Sequence, residues 1–386
     1  MKILIISTMN GFRWGGSEEL WFEVTKFAEK MNLETQVVLF PNLPLHPKIV
    51  SLVNRKLVFF VEESEIIHPP LWKKLLFKIL SRKIPITNSN RFQFLEKLQY
   101  DLILLSQGSA TDILHYADLY NNLIKSKKPL FILSHLFSSS VFIDEVGREK
   151  LRMLNNHSIH HFFVSKNNKK DFERRLALSI NNSSIVKNPV NIDNLGFVDW
   201  PQGDCYNFAI VARLEVNHKG HDILLQVLSQ EKWLNRNFKL NIYGEGPHES
   251  YINELITFFK LDEKVQMKGS SSNIRELWES NHLLILPSNT EGLPLTIIEA
   301  MLCGRPVLST DVGDNSKVII EGETGWIAAS NSISLLDDAL ERAWSVKDFW
   351  KVYGENAIIH ANEFIDPNPG LTLLNIMKNQ VETIHY

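Results

Sequence analysis

The stretch SNTEGLPLTIIEAMLCGRPVLST, residues 288–310, sets two carboxylates, Glu291 and Glu299, around a Gly-Leu-Pro turn and the start of an apolar helical run. A glutamate inside LTIIEAML is expensive to bury unless a cation or a hydroxyl meets it. A pair of sugar hydroxyls is one such partner. Amides from Gly292 through Leu293 to Leu295 and Thr296 point out of the helix amino end, where an anion can sit. Pro294 suits the first helical position. Glu291 beside that end also reads more plainly, as a carboxylate stabilising the helix dipole.

Two cations stand elsewhere in a similar setting. VARLEVNHKGHDILL, residues 211–225, carries Arg213 and Lys219 around a short loop, with Gly220 next to a helix start. Such a pair can neutralise a diphosphate; the plainer reading is an ordinary surface pair. Gly244, in the GEG of residues 244–246, offers bare backbone against which a flat ring can lie. Near the amino end, NGFRWGGSEEL places Gly15 and Gly16 where backbone can approach a ligand closely. Ser17 is positioned to cap the following helix, and Glu18 and Glu19 suit its first turn. Phosphate or sugar binding and a simple capped turn fit this loop equally. The spacing is not G-x-G-x-x-G, which speaks against a dehydrogenase.

These residues need rigid elements behind them. KILIIS (2–7), TQVVLF (35–40), DLILLSQ (101–107), PLFILSH (129–135) and HHFFVS (160–165) read as buried strands. Helical patterns such as residues 18–31 and 110–126 separate them. A linker, residues 191–206, is read from two prolines, two glycines and the lack of helical period in the stretch around it. A second strand-helix series then begins at NFAIVARL and runs through RPVLST. The expected organisation is an α/β first domain (1–190), the linker, a second α/β domain (207–365) and a last helix (366–386) that can pack back on the first domain. Ligands of open parallel sheets bind at the carboxyl ends of the strands. Every motif above follows a strand. His135, ending PLFILSH, reads either as a satisfied core histidine or as a ligand at such an end.

The bulk composition narrows the class. The 386 residues carry a net charge of −3, so nothing draws the whole chain to nucleic acid. Two distant cysteines, Cys205 and Cys303, make neither a disulfide framework nor a metal cluster and suit a reducing, cytoplasmic setting. No apolar run reaches membrane-spanning length, and the opening run is too short for a signal peptide. LWKKLLFKILSRK, residues 71–83, is basic and amphipathic. It reads either as a peripheral membrane contact on the cytoplasmic face or as a surface helix whose stripe meets the core.

The E-x7-E arrangement of Glu291 and Glu299 resembles the retaining glycosyltransferases of family 4. So do the GGSEE loop, ARL…HKG and IYGEGP, in that order. The resemblance implies a GT-B fold, two Rossmann-like doubly wound domains facing a central cleft. By its pattern Arg213 and Lys219 would hold the donor diphosphate and Glu299 the ribose hydroxyls. Glu291 would lie near the donor sugar, with backbone contacts from Gly292, Leu293 and Pro294. Leu295 and Thr296 would open the helix over the phosphates, Gly16 would close on them from the first-domain loop, and His135 would sit near the sugar's 6-hydroxyl.

A nucleotide sugar, UDP-hexose with glucose favoured, would then be a substrate and no cofactor would be required. A saccharide or lipid-linked saccharide would accept the sugar, in polysaccharide or glycoconjugate assembly. Asp-x-Asp occurs nowhere, so the expectation is metal-independent transfer with the leaving group held by cations and amides. A nucleotide-sugar epimerase of the same fold and a non-catalytic nucleotide-sugar-binding protein are the competing readings.

Overall fold

The computed structural model describes residues 1–9, 14–40, 45–61, 92–137, 141–190, 196–271, 273–292 and 295–384. The basic segment 71–83, Leu293 and Pro294 lie outside these. The chain divides into two compact units, Met1–Pro189 with Asp366–Tyr386, and Val190–Ile365.

The first unit is built on a parallel sheet of β1 (Lys2–Ser7), β2 (Glu34–Leu39), β3 (Val58–Phe60), β4 (Leu102–Ser109), β5 (Leu130–Leu136), β6 (His160–Phe163) and β7 (Ser183–Ile185). Their order across the sheet is 3-2-1-4-5-6-7. Unbroken apolar runs form the inner strands β1, β4 and β5 because both faces are covered. Alternate residues of β1 serve opposite faces: Leu4 and Ile6 join one core, Ile3 and Ile5 the other. The second core also takes Leu20, Trp21 and Val24 of the helix Gly16–Lys30 and Leu373, Leu374 and Met377 of the last helix, Pro369–Ile384. The helical pattern of residues 110–126 is divided in the structure into a 3₁₀ turn, Asp112–His115, and a helix, Ala117–Lys125.

The second unit repeats the plan. β8 (Tyr206–Val211), β9 (Phe238–Tyr243), β10 (Val265–Gly269), β11 (Leu283–Leu286), β12 (Val307–Thr310) and β13 (Gly325–Ala328) are ordered 10-9-8-11-12-13, all parallel. In both sheets the chain reverses its direction of travel beside the first strand, between β1 and β4 and between β8 and β11. The crevice outside the carboxyl ends at such a reversal is where open α/β sheets take ligands.

The stretch read as a linker is packed into this second unit from Val198 onward. Val198 is buried in its core, and the carbonyls of Val198 and Asp199 accept from Arg305 at 3.1 and 2.5 Å. Arg305 is fully buried. Its guanidinium also donates to the carbonyls of Trp278, Asn281, Cys303 and Gly304. Burial pulls its pKa down to about 10. A planar fork with five donors suits converging backbone carbonyls in a way an ammonium does not. Arg305→Met would leave those carbonyls without their donor, each orphan costing about 1–3 kcal/mol. Urea denaturation is expected to show a loss of at least about 3 kcal/mol for this variant.

Candidate functional site

In the second unit, two loops that leave neighbouring strands are joined at the reversal point. One is residues 212–220 after β8; the other is 287–292 after β11. Asn289 N donates to His218 O at 2.8 Å and Asn289 Nδ2 to Asn217 O at 3.0 Å. Gly220, at φ 65°, lies so close that a Cβ there would stand 2.1 Å from Pro287 O. No other residue fits this junction.

Across the junction Lys219 Nζ meets Glu291 Oε1 at 2.6 Å. Ser288 Oγ donates to the same oxygen, also at 2.6 Å. Glu291 is buried to 8% exposure, and Lys219 retains 19% on its side chain. Arg213 Nη2 lies 3.3 Å from Glu215 Oε2, which His218 Nδ1 approaches at 2.6 Å. Each cation of the loop therefore has a carboxylate beside it. Gly292 O accepts from Asp314 N at 3.0 Å, which holds the turn from the β12 side. Glu299 is 5% exposed in the second turn of the helix Leu295–Leu302. Leu295 and Thr296, at the amino end of that helix, are half-buried.

Gly244 differs from its sequence reading. At φ 143° its missing side chain faces backbone, since a Cβ would fall 1.9 Å from Ala212 O. The glycine lets the loop after β9 press against the loop after β8, and it presents no open platform on that side.

The first-unit candidates form a separate set. Gly15 is the N-cap residue of the helix Gly16–Lys30 and is extended, φ −158° and ψ −177°, a conformation open to any residue. A Cβ there would make only ordinary contact with Glu18. Gly16 begins the helix. The capping role expected of Ser17 is not realised: the N-cap residue is Gly15, which carries no side chain. Ser17 lies inside the first turn and its Oγ donates to Glu18 Oε2 at 2.7 Å. Glu18, 4% exposed, also receives Ser7 Oγ at 3.4 Å from the end of β1. Burial pushes its pKa up to about 7. Asp112, after β4, accepts from Ser109 N and Thr8 Oγ1 at 3.0 and 3.2 Å and is likewise raised by burial.

His135 is buried at the end of β5, with the side chain of Asn188 as its polar neighbour. Burial drives its pKa down to about 3, so the ring is neutral at ordinary pH. Its neighbour Ser134 belongs to a different arrangement, which the sequence did not announce. Ser134 Oγ meets His161 Nε2 at 2.8 Å, and His161 Nδ1 meets Asn155 Oδ1 at 2.7 Å. All three side chains are buried, so this chain of hydrogen bonds fixes strands and is not a nucleophile. Glu215, Ser288 and Asn289 were also absent from the sequence reading. Polar residues in the loops after β8 and β11 were the available signal.

Residues 202–360 match the family model described as "Glycosyl transferases group 1". The whole chain has the GT-B fold. HepE from Anabaena, in a complex with UDP-glucose, superposes with a TM-score of 0.71 over 99% of this chain and 100% of that one, at 16% identity. A glycosyltransferase from Rickettsia africae gives 0.70 over 98% of each chain, at 18% identity. In sequence, the chain is 28% identical to an uncharacterized glycosyltransferase of Methanocaldococcus jannaschii over 52% of its length. It is 30% identical to a putative colanic acid biosynthesis glycosyltransferase, WcaL, of Salmonella typhimurium over 33%. These matches span 54% and 33% of the two relatives, about half their length or less.

Glu18 makes stability depend on pH in a defined direction. Its folded pKa stands above the unfolded value of 4.5, so its neutral form favours the fold. That contribution is full below 4.5 and is lost as pH rises through about 7. Glu18→Gln keeps an acceptor for Ser17 without the charge. Urea midpoints at pH 5 and pH 8 are expected to show the variant gaining on the native chain at pH 8; equal differences at both would refute the assignment.

Proposed function

We propose that this protein is a retaining, metal-independent glycosyltransferase that moves a hexose from a nucleoside-diphosphate sugar, UDP-glucose favoured, to a saccharide or lipid-linked saccharide. Polysaccharide or glycoconjugate assembly is the setting this reading favours. The observation that carries it is the joined pair of loops at the β8–β11 reversal. Lys219 and Glu291 meet there, with Arg213 earlier in the same loop as Lys219 and Glu299 in the apolar helix that follows Glu291. The match of residues 202–360 to group 1 glycosyl transferases supports the reading. So do UDP and UDP-glucose in the complexes of HepE.

In this mechanism Arg213, Lys219 and the helix amides hold the diphosphate and stabilise the charge that grows on it as the glycosidic bond breaks. The anomeric carbon passes through an oxocarbenium-like state. The acceptor oxygen bonds to it on the face that the diphosphate leaves, and the acceptor proton passes to the departing phosphate oxygen. Glu299 takes the ribose hydroxyls and Glu291 the sugar hydroxyls.

The test offers nucleotide sugars in excess chelator to the native chain, Lys219→Ala and Glu299→Ala. The native chain is expected to release one nucleoside diphosphate slowly, and each variant to bind that donor at least about tenfold more weakly, as loss of a charged hydrogen bond implies. Glu299→Ala should weaken the nucleoside and its diphosphate alike, whereas Lys219→Ala should weaken only the diphosphate. Unchanged binding in both variants would overturn the reading.

A further inference from the structure

We infer that Ser288 is the positioning residue for Glu291, orienting its carboxylate so that one oxygen is spent on the protein and the other is kept for the donor sugar. The inference rests on the proposed role of Glu291 and adds to it the group that sets its direction. Two donors converge on Glu291 Oε1, Lys219 Nζ and Ser288 Oγ, each at 2.6 Å. Oε2 accepts no hydrogen bond among the described residues. The terminal torsion of glutamate is broad and roughly two-fold, so a carboxylate left to itself exchanges its oxygens easily. An ammonium does not prevent this, because it is a compact charge whose three donors rotate on a flexible stem. A hydroxyl anchored to the backbone does, because its direction is fixed.

Ser288 is anchored in this way. It is fully buried directly after β11, and its carbonyl accepts from Thr310 Oγ1 at 2.6 Å. Thr310 ends the adjacent strand β12 and is itself fully buried. Ser309 Oγ holds Leu286 O at 3.1 Å, so the end of β11 is tied to β12 on either side of Pro287. Sealed from solvent, Ser288 has no route to a ligand except through Glu291. The lysine supplies the countercharge and the serine supplies the direction.

The experiment compares the native chain, Ser288→Ala, Glu291→Ala and the double variant, measuring the dissociation constants of UDP and UDP-glucose, turnover, and melting temperature. Ser288→Ala is expected to leave UDP binding within about twofold and to lower sugar-dependent turnover about tenfold, the loss of one charge-assisted hydrogen bond. In the Glu291→Ala background the serine change should add nothing to the ratio of the two dissociation constants, because both residues act as one unit. Additive effects, or equal weakening of UDP and UDP-glucose with a lowered melting temperature, would make Ser288 a structural residue and overturn the inference. Crystals of the ligand-free native chain and Ser288→Ala supply a readout independent of any nucleotide. The carboxylate plane of Glu291 is expected to turn or become disordered in the variant, and an unmoved carboxylate would overturn the inference. Failure of the native chain to bind either nucleotide would instead count against the donor assigned above.

Discussion

The contact between Lys219 and Glu291 is where the two halves of the second unit's site become one object. It joins a loop leaving β8 to a loop leaving β11, strands that lie side by side but are far apart in sequence. An ion pair so largely removed from water is poor value as a stabiliser, because desolvation consumes most of the Coulomb gain. What it supplies is register. The hydrogen bonds of Asn289 to the backbone at residues 217 and 218, and the close approach of Gly220 to Pro287, fix the same relation without charge. The ion pair therefore works within a frame already held by backbone contacts, and its two side chains can change partners without loosening the loops.

The first unit shows the same sheet order doing different electrostatic work. At its reversal point buried Glu18 and partly buried Asp112 accept from hydroxyls and an amide among the described residues, where Glu291 meets an ammonium. Both are raised by burial. Glu19, in the next position, is a carboxylate of another kind. It accepts from Trp14 Nε1 at 2.6 Å and pairs with Lys48 at 2.5 Å, tying the loop ahead of the helix to the segment that follows β2. Adjacent glutamates thus keep different company among the described residues, Glu18 the hydroxyls of Ser7 and Ser17 and Glu19 the ammonium of Lys48.

Much of this was legible in the sequence, and the limits have physical causes. The inner strands were visible because a strand covered on both faces is a continuous apolar run, and the edge strand β10 was read as well. The edge strands β3, β7 and β13 were not, since three or four residues at a sheet margin carry too little pattern. Lys219, Glu291 and Glu299 stood out because charge at the end of an apolar run needs a reason. Their supports did not. Ser288, Glu215 and Arg305 are defined by partners that only the fold brings near, and a serine or an arginine alone announces no partner. The glycines misled in an instructive way. Gly244 is required by a backbone neighbour, whereas Gly15 is required by nothing in the protein's own geometry, and spacing alone could not tell these cases apart.

The pairing of every loop cation with a carboxylate also bears on selectivity. A bare arginine and lysine beside a helix amino end would attract any phosphate. Here Arg213 faces Glu215 and Lys219 faces Glu291, so an incoming anion must exchange with a carboxylate already in place. Under the proposed function the free energy of phosphate binding would be a difference between two charged contacts, and an anion that offers phosphate alone would gain little. A ligand that also satisfies the displaced carboxylate recovers the cost. Under the proposed function a sugar hydroxyl on Glu291 Oε2 would do so, because it gives the carboxylate a donor in place of the ammonium. Under the proposed function the site would therefore respond to phosphate and sugar together more strongly than to the sum of each alone. That coupling would arise from the Lys219–Glu291 contact and needs no movement of the backbone around it.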